Sequence, residues 1–552
     1  MLGLSLSGAV QRAKRARYRT FKAAGSGHGS EQSQGRAAGS RSKGGPGKAC
    51  AASAASASLS ATAAQEESDD DAAAATARPQ ETGTALSCVL KVYCTSVRPN
   101  FAQPWQMKRQ QESTSSGFIL RDEQIFPARG IIILTNAHSV AHSVTVRVRK
   151  HGSPVKHVAK VLHIGHECDV AVLVVEDPAF YDDLPEPLQL GHTARLQDPV
   201  TVVGYPTGGD NLSVTVGVVS RVDVQAYSHS SERFLTLQID AAINAGVPAG
   251  RCVGIAFETL DDAENIGYLI PAAVVARFLD DLRSHGEYTR WCSLGFSWQP
   301  VESPALRSHL KLGEGRSGVY VGEVYPTGAA SGVLREGDVV LRLGGQPIAD
   351  DGTVPFEPAA EVRGGASCRS QRVSFDALLL RHFVGDSIAA HVLRGGAERQ
   401  VRLPLGCHHP LVPLHLHEER PSYVVCGGAV FTALSQPYLQ HEWGKAWERR
   451  APVSLVVLLS QLLGHECVRG YDSALLANSM VRALNGVPIL CLAQLAQLVR
   501  ACRQRSLRFD LEESRVLVLD TAQARGAEAE ILQQHNIPEP VLINERDAAL
   551  LR

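Results

Sequence analysis

Gly130–Val140 reads GIIILTNAHSV and Cys168–Val175 reads CDVAVLVV. Each joins a short β-branched run, the composition of a buried strand, to a polar group at its end. The first run closes on Thr135–Asn136–Ala137–His138, and the second opens on Asp169, 31 residues later. A His at one strand end and an Asp at the start of another form half of a general-base dyad. The carboxylate fixes the imidazole tautomer and stabilises the imidazolium formed when a proton is taken. Singly, each residue is ordinary, because a His after a strand is commonly structural and an Asp before one commonly starts a turn.

Outward from these runs, similar segments recur at Val89–Tyr93, Val144–Arg149, Val200–Val203, Val214–Val222, Phe234–Ile239 and Val253–Phe257, with Gly, Pro and Asp between them. That rhythm predicts an all-β barrel or sandwich beginning near Ala85. Apolar residues at Val274, Val275, Phe278, Leu279 and Leu282 then predict a helix over Pro271–Ser284 that closes the domain.

The 552-residue chain has room for about three or four domains. With 44% hydrophobic and 20% charged residues, it can bury real cores. Lys and Arg (55) balance Asp and Glu (56), so no basic excess points to nucleic acid. The longest apolar run, Leu455–Leu463, is broken by Ser460 and Gln461 and falls short of a membrane span. This predicts a protein that is soluble or peripheral to a membrane. The 12 cysteines include no C-x-x-C pair, so a zinc ribbon or thioredoxin-type site is not expected; buried free thiols are.

Residues 1–64 carry 10 Lys or Arg against the single acid Glu31, in a background of Ala, Ser and Gly. Such a segment cannot bury a core. Its basic, Ser-rich, acid-poor composition fits an organelle transit peptide. The cluster Arg12–Lys14–Arg15–Arg17–Arg19 also fits a nuclear address or a basic tail. The region 65–84 contains EESDDD at Glu66–Asp71 and is expected to be an acidic linker.

The strings around the dyad resemble those of the Deg/HtrA family of ATP-independent serine endopeptidases. TNAHSV (Thr135–Val140) is similar to the family block that carries the catalytic His. HECDVAVLVVE (His166–Glu176) is similar to the block with the catalytic Asp. VVGYPTGG (Val202–Gly209), VTVGVVSR (Val214–Arg221), IDAAIN (Ile239–Asn244) and NIGYLIP (Asn265–Pro271) follow in the family's order. VYCTSVRPNFAQPWQ (Val92–Gln106) is nearest to plant and algal organellar members of the chloroplast type. The resemblance implies a mainly β fold with two chymotrypsin-like six-stranded barrels at residues 85–286. It implies catalytic roles for His138 and Asp169, and a specificity pocket lined by Ile266, Gly267 and Tyr268.

The sequence departs from the family at the third catalytic member. After IDAAIN the family continues PGNSGGP, a turn that supplies the nucleophilic Ser and the oxyanion donors. Here Ala245–Arg251 reads AGVPAGR, several residues shorter, and no Ser or Thr lies between Ala242 and Cys252. Cys252 is the nearest nucleophilic atom, and its position at a strand start suits a buried structural thiol. Ser228, Ser230 and Ser231 lie upstream, in a loop where the family carries serines that are not nucleophiles. Two readings stand open: a misplaced splice junction in the written sequence, or a true pseudoprotease that acts as a scaffold or holdase.

Downstream, SLGF at Ser293–Phe296 resembles the carboxylate-binding loop of PDZ domains, implying that Leu294, Gly295 and Phe296 bind peptide C-termini. Gly318–Val324, Ala329–Leu334, REGDVVLRLGGQPI (Arg335–Ile348), Phe375–Phe383 and the pair Ser387–Arg394 with Arg399–Leu405 fill out that domain (residues 287–408) as strand, short helix, turn-strand, groove helix and hairpin. Glu357–Arg372 reads as an extra exposed loop. A degenerate second copy at residues 409–540 repeats the pattern at Val481–Ile489, Ala493–Cys502, Leu507–Leu511 and Arg515–Leu519, without the loop. It is expected to make an intramolecular or oligomer contact, with residues 541–552 left as a tail. No cofactor and no metal is expected. The partners implied are unfolded or damaged proteins, peptide C-termini and further copies of the chain in trimers or hexamers. The address implied is the chloroplast, stroma or thylakoid surface, with the mitochondrion and nucleus as alternatives.

Overall fold

The computed structural model describes residues 86–206, 209–230, 232–240, 251–259, 266–356, 371–407, 412–416, 418–444 and 457–550. All of them fall in the second of two units, Met1–Ala77 and Arg78–Arg552. The readings of the basic N-terminal segment, of the acidic linker, of 241–250 and of the loop at 357–370 therefore lie outside the described residues.

Six antiparallel strands close the first barrel: β1 (Val89–Ser96), β2 (Gln111–Arg121), β3 (Ile131–Thr135), β4 (Ser143–Arg149), β5 (Lys156–Gly165) and β6 (Val170–Val175), in the order β1-β2-β3-β6-β5-β4. β6 is buried at every residue, which is why it reads as an unbroken apolar run. β2 and β5 escape the sequence reading for opposite reasons. β2 opens on the polar stretch QESTSS, and β5 turns Val158 to solvent while burying His157. A one-turn helix α1 (Ala137–Val140) follows β3.

A second sheet orders its strands β12-β13-β10-β9-β8: β8 (Pro199–Gly204), β9 (Ser213–Ala226), β10 (Arg233–Ile239), β12 (Gly254–Thr259) and β13 (Gly267–Pro271). The mainly β architecture is as read, but the second barrel differs from the expected six closed strands. Among the described residues it is an open five-stranded sheet, because the short strands β7 (Gln189–Leu190) and β11 (Arg251–Cys252) pair with each other in parallel instead. Helix α2 (Ala272–His285) buries Val274, Val275, Phe278, Leu279 and Leu282, and ends at Gly286 in the left-handed conformation, φ 76°. Gly165 lets it approach: a Cβ there would lie 2.8 Å from the Phe278 ring. That contact seats the turn from Gly165 to Asp169 on the helix.

The third body holds β14 (Phe296–Pro300), β15 (Val319–Val324), β16 (Val339–Leu343), β17 (Gln346–Pro347), β20 (Ser387–Arg394) and β21 (Ala397–Pro404) in one sheet. β18 (Thr353–Pro355) and β19 (Arg372–Ser374) clamp the base of the inserted loop. Ala329–Leu334 is not the short helix expected, because Gly332 takes φ 81° and the segment turns instead. The groove helix is a 3-10 helix, Phe375–Arg381. Arg277 of α2 ties the protease body to this one. It donates to the His382 carbonyl at 2.8 Å and lies over the Phe383 ring.

The last body is an eight-stranded sheet built on β22 (Tyr423–Cys426), β23 (Ala429–Ala433), β24 (Val457–Leu462), β25 (Ser479–Leu484), β26 (Val487–Pro488), β27 (Ser506–Leu511), β28 (Val516–Asp520) and β29 (Val541–Leu542). Phe431 and Phe509 stack in its core. The expected C-terminal tail is corrected here. Val541 and Leu542 pair with β22, and Asn544 caps a final helix over Glu545–Ala549. This body packs on the protease body through the loop after β1: Trp105 lies 5.8 Å from Tyr423, and Gln461 donates to the Ala102 carbonyl. The string at Val92–Gln106 thus supplies an intramolecular interface.

Candidate active site

β3 ends at Thr135, anchored by its hydroxyl donating to the Ser116 carbonyl at 2.8 Å. The chain then enters α1, which carries His138. Asp169 precedes β6, fully buried, with φ at +54°. A non-glycine residue in this conformation is strained, and its neighbours must hold it there. They do so through the carboxylate: Oδ1 accepts from the His138 backbone N–H at 2.9 Å, and Oδ2 lies 2.8 Å from His138 Nδ1. Asn136 donates its side-chain amide to the same Oδ2 at 3.3 Å instead of capping α1. These three contacts fix the carboxylate and let it orient the ring through Nδ1, which leaves Nε2 as the nitrogen that can meet a substrate group. The His138 side chain remains 44% exposed, as a base that must meet substrate needs to be.

The nucleophile segment lies outside the described residues, but its flanks are defined. β10 delivers the chain to Ile239 and Asp240, and β11 resumes at Arg251. Cys252 is wholly buried, and burial pushes its thiol up to about 12. It is therefore neither accessible nor ionised near neutral pH. Ser230 is a tether: its hydroxyl donates to the Glu167 carbonyl at 2.8 Å and joins the β9–β10 turn to the turn before Asp169. Gly267 and Tyr268 open β13, with Ile266 just before it, and Gly267 pairs with Ile239, the last residue of β10. Tyr268 faces Phe257 with ring centroids 6.4 Å apart.

Leu294, Gly295 and Phe296 line a cleft of about 580 Å³ that also borders Trp298, Phe234 and Leu380. Arg233, Arg290 and Arg546 line it together with the acids Glu167, Glu232 and Asp376. Gly295 has φ +74°, and a Cβ there would meet Gly328 Cα at 3.0 Å. Its lack of a side chain allows the loop to pack against Gly328 and Ala329.

The structure adds groups that the sequence did not single out. His229, in the β9–β10 turn, lies 6.1 Å from His138 by ring centroids. Burial pushes its imidazole below the ordinary range, against a smaller upward pull from Asp169. The rings of His166 and His415 flank it, and Glu418 lies against His166.

A trypsin-like peptidase domain model matches residues 115–249, spanning both dyad residues, and a PDZ domain model matches 412–541. Protease Do-like 2, chloroplastic, of Arabidopsis thaliana is 40% identical over 502 residues, covering 86% of this chain and 78% of that one. The chain belongs to the Deg/HtrA (Do-like) protease family. Putative protease Do-like 3, mitochondrial, from the same plant is 36% identical over 83% of this chain and 80% of that one. Among solved structures, the HtrA-type protease AlgW with a decapeptide aligns at TM-score 0.44 and 24% identity, over 60% of this chain and 98% of that one. Membership extends over the second PDZ-like body, whose missing SLGF-type loop did not prevent the match. No described helix is long and apolar enough to cross a membrane.

Proposed function

We propose that this Deg-family scaffold carries out ATP-independent endoproteolysis of unfolded or damaged protein in an organelle. His138 acts as general base and Asp169 orients it. The observation that carries the reading is the pairing of a half-exposed imidazole with a fully buried, triply bonded carboxylate at 2.8 Å. Burying a charge in that way costs stability, and a base catalyst is what it serves. A Ser hydroxyl brought beside His138 Nε2 would give its proton to that nitrogen as its oxygen attacks a peptide carbonyl, and the imidazolium would pass the proton to the leaving amine as the C–N bond breaks. Leu294, Gly295 and Phe296 line a cleft that borders the apolar side chains of Phe234, Trp298 and Leu380, so they are assigned to capture of an apolar peptide C-terminus. Ile266, Gly267 and Tyr268 are assigned to the side-chain pocket. The chain assembles with further copies of itself, as a trimer or hexamer, and residues 1–64 direct it to the chloroplast.

One observation favours a second reading: the absence of Ser and Thr between Ala242 and Cys252. On that reading the chain captures exposed segments without cutting them. Sequencing the transcript across codons 239–257 separates the two. A PGNSGGP-type turn in the transcript, with casein cleavage by its product, supports the enzyme. A transcript that matches the written sequence, with no cleavage, establishes the binder.

A further inference from the structure

Three histidines from distant parts of the chain converge beside the dyad. His166 lies in the turn between β5 and β6, His229 in the turn between β9 and β10, and His415 in the segment that leads into the second PDZ-like body. One ring nitrogen from each falls within 4.8 Å of the other two. His166 Nδ1 is 3.1 Å from His229 Nε2, and the His415 ring lies 4.6 Å from that of His166 and 4.8 Å from that of His229. Glu418 Oε1 stands 3.5 Å from the other nitrogen of His166, while its Oε2 accepts from the His142 backbone N–H.

We propose that His166, His229 and His415 form a binding site for a divalent transition-metal ion of the Zn2+ class, which pins the segment entering the second PDZ-like body onto the protease body beside His138.

The geometry and the donor chemistry both point there. Ligand bonds of about 2.0–2.1 Å in a tetrahedral site set nitrogens about 3.3 Å apart. The His166–His229 pair is already close to that spacing, and torsional rotation of the half-buried His415 closes the rest. Glu418 sits where an orienting carboxylate belongs: its Oε1 lies 3.5 Å from His166 Nε2, on the side of the ring away from Nδ1, the nitrogen that meets His229. Three imidazoles with no thiolate and no carboxylate in the first set suit Zn2+, Co2+, Ni2+ or Cu2+ and not Ca2+ or Mg2+. Cys168, the nearest thiol in sequence, is turned to the Gly165 carbonyl and fully buried. His138 is outside the set, because the ring nitrogens that converge within 4.8 Å of one another are those of His166, His229 and His415. Two of the three ligands belong to the protease body and one to the entering segment, so an ion at this site would cross-link them.

The test uses the full chain, stripped of metal by chelator dialysis and titrated with Co2+. One equivalent should give the visible absorption of a four- or five-coordinate cobalt site, without the near-ultraviolet band of a thiolate ligand. Zn2+ should erase it, and should slow proteolytic nicking near residue 415. His415→Ala and His229→Ala should each weaken Co2+ binding by about a hundredfold, whereas His138→Ala should leave it intact. Should His229→Ala not fold, as judged by circular dichroism, His415→Gln gives the same reading from a half-buried position. A six-coordinate spectrum, a thiolate band, unchanged affinity in the His415 variants, or loss of binding in His138→Ala would each overturn the proposal.

Discussion

The two halves of the protease body differ in how completely they hold their share of a catalytic site. The first half is a closed barrel, and it fixes His138 and Asp169 with every carboxylate contact satisfied. Among the described residues the second is an open sheet, and its strand β10 leads at Ile239–Asp240 toward a segment whose sequence holds no hydroxyl nucleophile. A barrel core does not depend on its neighbour's loop for packing, so the base can persist in full geometry whatever the nucleophile segment contains. An intact dyad therefore testifies to half a mechanism only.

The largest effect should come from supplying the missing half. The chain as written should show no casein turnover above buffer and no labelling by a fluorophosphonate. Inserting PGNSGGP after Asn244 should restore both, with turnover rising by up to about 10⁶-fold, the scale on which a triad acts as a unit. Adding His138→Ala to the restored chain should remove it again. Turnover by the unmodified chain that survives His138→Ala would break the comparison outright.

In that restored chain, Asp169→Asn should lower kcat by about 10⁴-fold, because an amide stabilises the wrong imidazole tautomer. Steady-state kinetics at neutral pH checks this, and a loss under tenfold would mean that the buried carboxylate is structural.

Alkylation distinguishes the halves on a smaller scale. The Cys252 thiol is held up to about 12. Its thiol form therefore dominates at every pH below that value, and the thiolate fraction at pH 8 is about one in 10⁴. Mass-spectrometric mapping after iodoacetamide treatment of the folded chain should find Cys252 unmodified at pH 8, at about 10³-fold below an exposed cysteine. Fast labelling would reopen it as a nucleophile.

The smallest effect concerns two glycines of nearly equal φ. Gly286→Ala should destabilise by about 1 kcal/mol, from backbone strain alone, since nothing lies within 4 Å of its Cβ position. Gly295→Ala should cost about 2–3 kcal/mol, because strain adds to the clash with Gly328 and Ala329. Urea melts of the two variants compare them, and equal midpoints would mean that the SLGF loop yields freely.

Much of the barrel was legible because burial imposes a local pattern. β6 declares itself by its apolar run, and α2 by its helical spacing, to within a residue at each end. β2 was hidden by its polar start, and the turn at Ala329–Leu334 looked helical until Gly332 took a positive φ. The dyad was legible because each member sits at the end of a readable strand inside a recognisable string. Glu418 and the histidine cluster were not, because no local period or spacing relates them.

Sequence by itself determined the apolar alternation that builds the strands, the identities of the two dyad residues, and the lack of Ser or Thr before Cys252. These are properties of neighbouring residues, so they can be read along the chain. Tertiary structure alone decided that Asp169 meets His138 at 2.8 Å, that Gly295 serves Gly328, and that His166, His229 and His415, out of 20 histidines, come together. His166 and His229 are 63 positions apart, and their turns meet only because α2 and the Ser230 tether seat them against each other. Contacts of that kind arise from the closure of whole sheets, and no local pattern records them.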